Sequence, residues 1–586
     1  MTARAAAVQS PVLGLRPAGD RAVLVELRTL GAVLALTSKL AAAQHAGDLA
    51  VVDVVAAATT VLIVAESPDA VARAAAYVRA LRLEDAGRAP GRLVQVETVY
   101  DGADLDEAAR LTGLSPEALV AAHSGAVWDA AFGGFAPGFA YLTHDGAPSV
   151  PRRSSPRTVV PAGSVALAGT YSAVYPGESP GGWQLIGRTD AVMWDLSRED
   201  PALVAPGDRV QFVPVRASAS LAAPAPGAAP VTCGAEHGTD APHRAQATIS
   251  AGGEATTRAE AGLVVVRAGL QTTVQDAGRP GRASLGVSPA GALDRGALRR
   301  ANRMAGNTPD APALEVLLGG LELRAEQDQV LAVTGARVPL RIMPPDDAQG
   351  DDPSTPGHDP STQGHDPSRG REAPLDAPFA LLAGETLAVG APTRGLRTYL
   401  AVRGGLAAER VLGSASTDTL SGIGPAPLAD GDALAVSPTR GAHVVGLPEI
   451  PPPLPDPAVP TELRVLPGPR QDWFTDASAR AFFEQEWTVT AQSNRVGVRL
   501  DGAPLERAKD GELTSEGTAR GAIQVPASGL PVLFLADAPV TGGYPVIGVV
   551  VSADLDLAAQ LPPGAAVRFV PAPGAAPTTP EGNAHA

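Results

Sequence analysis

The hydrophobic pattern divides the chain into two unlike stretches. Over residues 20–99 two periods alternate. Apolar runs at 21–27, 49–55, 60–65 and 93–98 read as strands, while the spacing over 30–46 and in VARAAAYVRAL reads as helix. Ser67 as N-cap with Pro68 behind it opens the second helix, and Ser115 with Pro116 repeats that signature before EALVAAH. The order βαββαβ predicts a ferredoxin-like α/β module over 15–100. From residue 132 onward helical spacing is scarce and short apolar runs are cut by Gly and Pro, as in TVVPAGSVALAG and GGWQLIGRTD, which predicts closed or sandwiched antiparallel β-structure.

The β-rich part repeats itself. Arg157, VPAG at 160–163, GGWQLIG at 181–187 and PGDRVQFVP at 206–214 recur in the same order as Arg520, VPASG at 525–529, GGYPVIG at 542–548 and PGAAVRFVP at 563–571. A third closing run, ADGDALAVSP at 429–438, ends the region between them. The fold class expected is therefore mainly β with a small α/β N-terminal module, the β-domain occurring about three times. Residues 217–260, rich in Ala, Pro, Gly and Thr without a sustained period, read as a flexible linker. The repeated DPSTPGH and DPSTQGH mark a surface-loop expansion over 346–374. The remaining domains expected are 101–216, 261–445 and 446–572.

Composition narrows the chemistry. At 586 residues the chain exceeds one hydrophobic core. A formal charge of −16 disfavours a nucleic-acid partner. A single cysteine, Cys233, forms no intramolecular disulfide, and no run approaches the length of a membrane helix, so a cytoplasmic location without membrane insertion is expected. Lysine occurs only at Lys39 and Lys509, neither in a GxxxxGK[ST] loop, so phosphate handling would fall to arginines and backbone amides.

Two segments concentrate chemistry-bearing residues. FGGFAPGFAYL at 132–142 sets aromatics among glycines, and PRRSSPR at 151–157 brings arginines just after; together they read either as a ligand-approach surface or as barrel turns with solvated guanidinium groups. GLQTTVQDAGRPGRASLGVSPAGALDRGALRRANRMAGN at 269–307 is the densest polar and glycine-rich stretch, and its Gln275, Asp276, Arg279, Asp294, Asn302 and Arg303 could hold a metal-bound polyphosphate or a small polar substrate. Within its helix Leu298 and Ala301 are expected to face the core, with Arg295, Arg299 and Arg300 solvated. Glu315, Asp418 and Glu516 sit in tight contexts as candidate Mg²⁺ ligands or turn-stabilising groups. Cys233, His237 and His243, and His358 with His365, carry metal-type spacings of no evident consequence.

The run FAPGFAYL…VPRRSSPRTVVPAGSVALAG…YPGESPGGWQLIGRTD closely resembles the B subunit of bacterial 5-oxoprolinase, the KipI or allophanate-hydrolase-subunit-1 family. The run VVVRAGLQTTVQDAGRPGRASLGVSPAGALDRGALRRANRMAGN…SNRVGVRL…SEGTARGAIQVP…LFLADAPVTGGYPVI resembles the C subunit of that enzyme, the KipA or allophanate-hydrolase-subunit-2 family. The resemblance implies cyclophilin-like β-barrel domains and a B–C fusion that would act with a separate A component of LamB/YcsF type. Its implied reaction uses ATP and Mg²⁺ to open 5-oxo-L-proline to L-glutamate. By position it implies site residues Arg152, Arg157, Gly163, Gly182 and Trp183 in the B-type half. In the C-type half it implies Gln275, Asp276, Arg279, Asp294, Asn302, Asn494, Arg495 and Glu516. Of these, Arg157, Arg279, Asp276 and Glu516 are the expected catalytic set, the rest binding substrate or ATP. The same families resemble the carboxyltransferase part of urea carboxylase, a biotin enzyme acting on urea-like amides, and KipI-like sensor-kinase inhibitors; these are the alternatives.

Overall fold

The structure, a computed structural model, describes residues 10–83, 91–216 apart from 154 and 156, 248–249, 262–345, 370–439 and 443–573 apart from 512. The expected linker, save 248–249, lies outside the described residues, as do Cys233, His237, His243, His358, His365 and most of the 346–374 loop.

The N-terminal module is a four-stranded antiparallel sheet in the order Val12–Pro17, Ala22–Leu27, Thr60–Ala65, Val51–Ala56. Helices Leu30–Ala46 and Pro68–Ala80 pack on it. The Thr29 and Ser67 hydroxyls accept from the amides of Ala32 and Ala70, satisfying free donors of each first turn. Val33, Leu36, Leu40 and Ala43, spaced by three and four, bury the first helix against the sheet. The sheet order is ferredoxin-like, with one correction. Its outer strand is Val12–Pro17, upstream of the first expected strand, whereas Leu93–Thr98 leaves the module and joins the next sheet.

That next unit is a seven-stranded sheet in which Leu93–Thr98 runs parallel to the last strand, Arg209–Pro214, and a bridge between Val99 and Arg188 brings its two edges together. The C-terminal unit is a closed seven-stranded barrel with the same seam: Thr461–Pro467 runs parallel to the last strand, Ala566–Pro571, and antiparallel to Val546–Val550. The sequence repeat is thus a structural one, down to single groups. In the first barrel the Trp128 indole donates to the carbonyl of His123, five residues back, at 3.0 Å; in the second Trp487 donates to Phe482, also five back, at 3.1 Å. Each indole caps the helix before it, Pro116–Gly125 or Asp476–Glu484, and each sits in its barrel core beside a closing-strand phenylalanine, Phe212 or Phe569.

The middle unit is sandwiched. Two sheets, one containing Leu263–Arg267, Glu322–Ala325, Thr386–Val389 and Leu340–Met343, the other Gln271–Gln275, Ala313–Leu317, Arg394–Val402 and Gln329–Arg337, share one apolar core. The closing run at 429–438 forms only the short strand Ala433–Leu434. Helix Arg295–Ala305 packs across the second sheet, burying Leu298 and Ala301 as expected. Arg299 is exposed, but Arg295 and Arg300 are half-buried, against the expectation that all three are solvated. Arg295 lies beside Arg520 and Asp556 of the C-terminal barrel, whose position the helical period cannot reveal, and Arg300 lies within electrostatic reach of Asp294 and Asp376.

Candidate functional site

The glycine-rich segment 132–139 is the contact between the B-type and C-type halves. A Cβ on Gly134 would lie 2.6 Å from the Thr541 hydroxyl, and one on Gly286, at φ +76°, would meet the Ala136 carbonyl well inside contact distance. The Phe135 amide donates to Thr541 Oγ1 at 2.9 Å. The glycines are there because backbone meets backbone across the seam. The N-terminal module joins the same seam. Asp53 accepts from the amides of Gly281 and Ala283 at 3.0 and 3.1 Å, and Asp20 accepts from the amide and hydroxyl of Ser552.

Beside this contact lies a cavity of about 290 Å³. Phe132, Tyr141, Tyr171 and Trp183 of the first barrel wall it, Arg152 stands at its side, and Ser515 of the C-type half closes it. Phe132 stacks on Tyr141 with ring centroids 4.5 Å apart, and Trp183 meets Tyr141 edge-on at 5.6 Å. The Tyr141 and Ser515 hydroxyls are hydrogen-bonded at 3.2 Å, so each half completes the other's wall. Burial pushes the Tyr171 hydroxyl up and that of Tyr175, behind the wall, to about 12, keeping both neutral. Such a cavity suits a small ligand with a flat apolar body and a carboxylate or polar edge.

Glu516, next to Ser515, faces Arg470, whose guanidinium grips it through Nε and Nη2 and reaches Glu26 of the N-terminal module through Nη1 at 2.5 Å. Burial raises the Glu516 carboxyl even with Arg470 beside it, while for Glu26 the two arginines Arg470 and Arg16 outweigh burial and lower it.

The cavity therefore gathers Arg152 and Trp183, with Glu516 adjoining through Ser515. Other expected site residues are engaged elsewhere. Arg157 forms a two-pronged pair with Asp104 at 2.7 and 2.8 Å, and Arg153 shares that carboxylate. The carbonyl of Gly182 accepts from the Arg153 amide, and Gly163, at φ +77°, packs on the Thr189 backbone. Asp276 accepts from the Ser414 and Ser416 hydroxyls and the amides of Gly278 and Ala415, tying one loop to another. Arg279 is buried on the carbonyls of Val411 and Ser416, and burial pulls its pKa down. The Gln275 amide nitrogen donates to Thr273 and Thr417, and Asn302 holds the carbonyls of Pro309 and Ala311. Asn494 is exposed and accepts from the amides of Val496 and Gly497 in a turn.

Arg495 lies at the centre of a buried ion network. It pairs with Glu315 and, through Nε and Nη2 at 3.0 Å each, with Asp537, and donates to the Gly291 carbonyl at 2.7 Å. Glu315 also accepts from Tyr399 and the Leu293 amide. Asp294 caps the helix through the Ala297 amide and accepts from Gln560. Burial, together with Asp556, pushes its carboxyl up to about 6. Asp418 is a turn group, accepting from Leu420, Ser421 and Ser288. Among the described residues no three carboxylate, histidine or cysteine side chains gather to hold a metal. Tyr141, Tyr171, Ser515, Arg470 and Asp537 escaped the sequence reading; Tyr141, Ser515 and Asp537 lie within the family motif strings above, whereas Tyr171 and Arg470 lie outside those runs.

Two family models match the chain: "Carboxyltransferase domain, subdomain C and D" over residues 13–204 and "Carboxyltransferase domain, subdomain A and B" over 285–571. The C subunit of 5-oxoprolinase from Escherichia coli K12 is 38% identical over 313 residues, covering 53% of this chain and 90% of that one. The B subunit of 5-oxoprolinase from Escherichia coli O157:H7 is 45% identical over 129 residues, 21% of this chain and 58% of that one. The crystal structure of TTHA0988 superposes with a TM-score of 0.75 at 32% identity, covering 94% of this chain and 99% of that chain. The chain belongs to the carboxyltransferase-domain family of 5-oxoprolinase subunits, with the B-type C and D subdomains followed in one polypeptide by the C-type A and B subdomains.

Proposed function

We propose that the chain is the combined B and C component of an ATP-dependent 5-oxoprolinase, acting with a separate A component to open 5-oxo-L-proline to L-glutamate. The observation that carries this reading is the seam cavity, walled by both halves. A five-membered lactam presents a flat ring for Tyr141, Tyr171 and Trp183 and a carboxylate for Arg152. A lactam resists hydrolysis; transfer of the γ-phosphoryl group of ATP to its carbonyl oxygen, with ADP leaving, would activate the ring carbon for attack by water, after which the C–N bond breaks to free the amine and hydrolysis of the resulting acyl phosphate releases inorganic phosphate and glutamate. The Tyr171 hydroxyl, held neutral by burial, would supply a hydrogen bond without adding negative charge near the incoming phosphate. Mg²⁺, a hard cation that favours phosphate oxygens and keeps much of its water, would arrive on the nucleotide. The reading places the protein in the cytoplasm, where ATP is available.

The test is reconstitution. The purified chain alone should release no glutamate from 5-oxoproline, and should do so with a LamB/YcsF-type partner, ATP and Mg²⁺. Glutamate release by the chain alone, or none with the partner, would refute the proposal. Carboxylation of urea-like amides from carboxybiotin would establish the carboxyltransferase reading in its place.

A further inference from the structure

Away from the cavity, where the N-terminal module, the middle unit and the C-terminal barrel meet, arginines from all three converge on one turn, 293–296. Arg520 of the barrel donates through Nη2 to the Leu293 carbonyl at 2.6 Å. Arg295 and Arg300 project from the first turns of helix Arg295–Ala305. Arg21 of the N-terminal module reaches the Ser552 hydroxyl at 3.0 Å, just before the short helix Leu555–Ala558 that carries Asp556. The Nε atoms of Arg295, Arg300 and Arg520 are buried without a hydrogen-bond partner. None of these three guanidinium groups has an acidic side chain within ion-pair distance among the described residues, in a chain whose other arginines are mostly paired.

The acids nearby are mostly engaged by other groups, and Asp376, within electrostatic reach of Arg300, pairs through one oxygen with Arg337. Asp556 accepts from the backbone amides of Arg295 and Gly296, Asp20 from Ser552, and Asp294 from Ala297 and Gln560; exposed Arg299 pairs with Asp310. Crowding of like charge, Arg520 foremost, together with burial holds Arg295 down to about 9. Half-buried positive charge is not gathered without cost: the Asp556 carboxylate offsets part of it for Arg295 and Arg520, but like-charge crowding and burial outweigh that offset at Arg295.

We propose that the Arg295–Arg300–Arg520 cluster, with Arg21 at its rim, is an anion site for a phosphoryl group. Planar guanidinium forks bind tetrahedral oxyanions through paired N–H donors, and a doubly charged phosphate offsets the repulsion that the empty cluster carries. The site is distinct from the aromatic cavity and does not depend on the 5-oxoprolinase reading. Its position at a three-way junction means that occupancy would tie the N-terminal module, the helix and the barrel together.

The probe is inorganic phosphate, titrated into the full chain at constant ionic strength with sodium chloride as the matched control, read by calorimetry and by thermal melting. Phosphate should bind saturably and raise the melting temperature, while chloride should not. Arg295→Gln and Arg520→Gln should each weaken phosphate binding about tenfold or more. Arg295→Gln should also melt higher than the wild type without phosphate, because it relieves repulsion, an effect opposite to that of removing a merely structural arginine. Competition by ATP would identify the phosphoryl group as a nucleotide's, and its absence a free or other phosphate. The proposal is overturned if phosphate gives no saturable signal, or if Arg295→Gln binds it as the wild type does. If Arg520→Gln does not fold, Arg295→Gln decides alone.

Discussion

Replacing Arg495 by methionine removes the cation at the centre of the Glu315–Asp537 network. Arg495 is 1% exposed, and methionine fills much of the volume of its aliphatic stem, so little of the effect is lost packing. What is lost is two bonds to Asp537, one to Glu315 and one to the Gly291 carbonyl. Glu315 keeps Tyr399, the Leu293 amide and Arg397, 3.6 Å away, whereas among the described residues Asp537 keeps only the Thr419 amide and hydroxyl as hydrogen-bond donors. The burden falls on Asp537, whose carboxyl burial already raises. Breaking a buried pair in this way costs about 3–5 kcal/mol, which for a domain of this size lowers the melting temperature by roughly 10 °C or more. The sign of the pH dependence follows. A carboxyl raised in the folded state contributes stability that is fully present below its unfolded pKa and is lost as pH climbs through the folded value. Without Arg495 the Asp537 carboxyl rises further, so the gap between variant and wild type should widen from pH 5.5 to pH 8 in scanning calorimetry. A deficit under about 1 kcal/mol at pH 8, or an equal deficit at both pH values, would refute the view of the network as dry and charge-balanced.

The cavity and the ion pair beside it separate by substitution. In the reconstituted reaction Arg152→Lys should raise KM for 5-oxoproline about tenfold, while Arg157→Lys should leave KM unchanged and cost about 1–2 kcal/mol in melts, because its fork holds Asp104; the reverse pattern would move the site. A protease cut between residues 217 and 261 should leave two halves that co-elute in gel filtration, held by Gly134–Thr541, Asp53 and Arg470–Glu26. The same cut in Gly286→Ala should release them, since the new Cβ collides with Ala136; co-elution there would show that the glycine seam is dispensable.

The barrel repeat was legible because its closing strands spell nearly the same phrase, RVQFVP and AVRFVP, in which inward Val and Phe alternate with polar positions. Their parallel partners, Leu93–Thr98 and Thr461–Pro467, share no such phrase, so period alone assigned the first of them to the wrong sheet. Val12–Pro17 was invisible for a related reason: VLGLRP is short, with Gly and Arg breaking its alternation. Of the cavity residues, Arg152 is suggested by its place just after the aromatic segment 132–142, and Trp183 by the resemblance of its motif to the B-subunit family. The Tyr141–Ser515 pair could not be read, as it closes over 374 positions of sequence. Asp276 and Arg279 look like ligand groups in a glycine-rich string, yet their partners Ser414 and Ser416 come from a distant loop that sequence spacing does not connect to them.

The parallel seam of each barrel has a consequence for synthesis on the ribosome. The opening strand can find its partner only when the closing strand has been made, roughly a hundred residues later, and the chain entropy of that closure must be met in one late step. Until then Leu93–Thr98 and Thr461–Pro467 present unpaired edges to whatever else is emerging, and each could pair with the other barrel's closing strand, AVRFVP or RVQFVP. A fusion of two such barrels in one polypeptide therefore needs the first to close before the second is complete, and the order of translation supplies that timing: Arg209–Pro214 leaves the tunnel well before Thr461–Pro467 exists to compete for it.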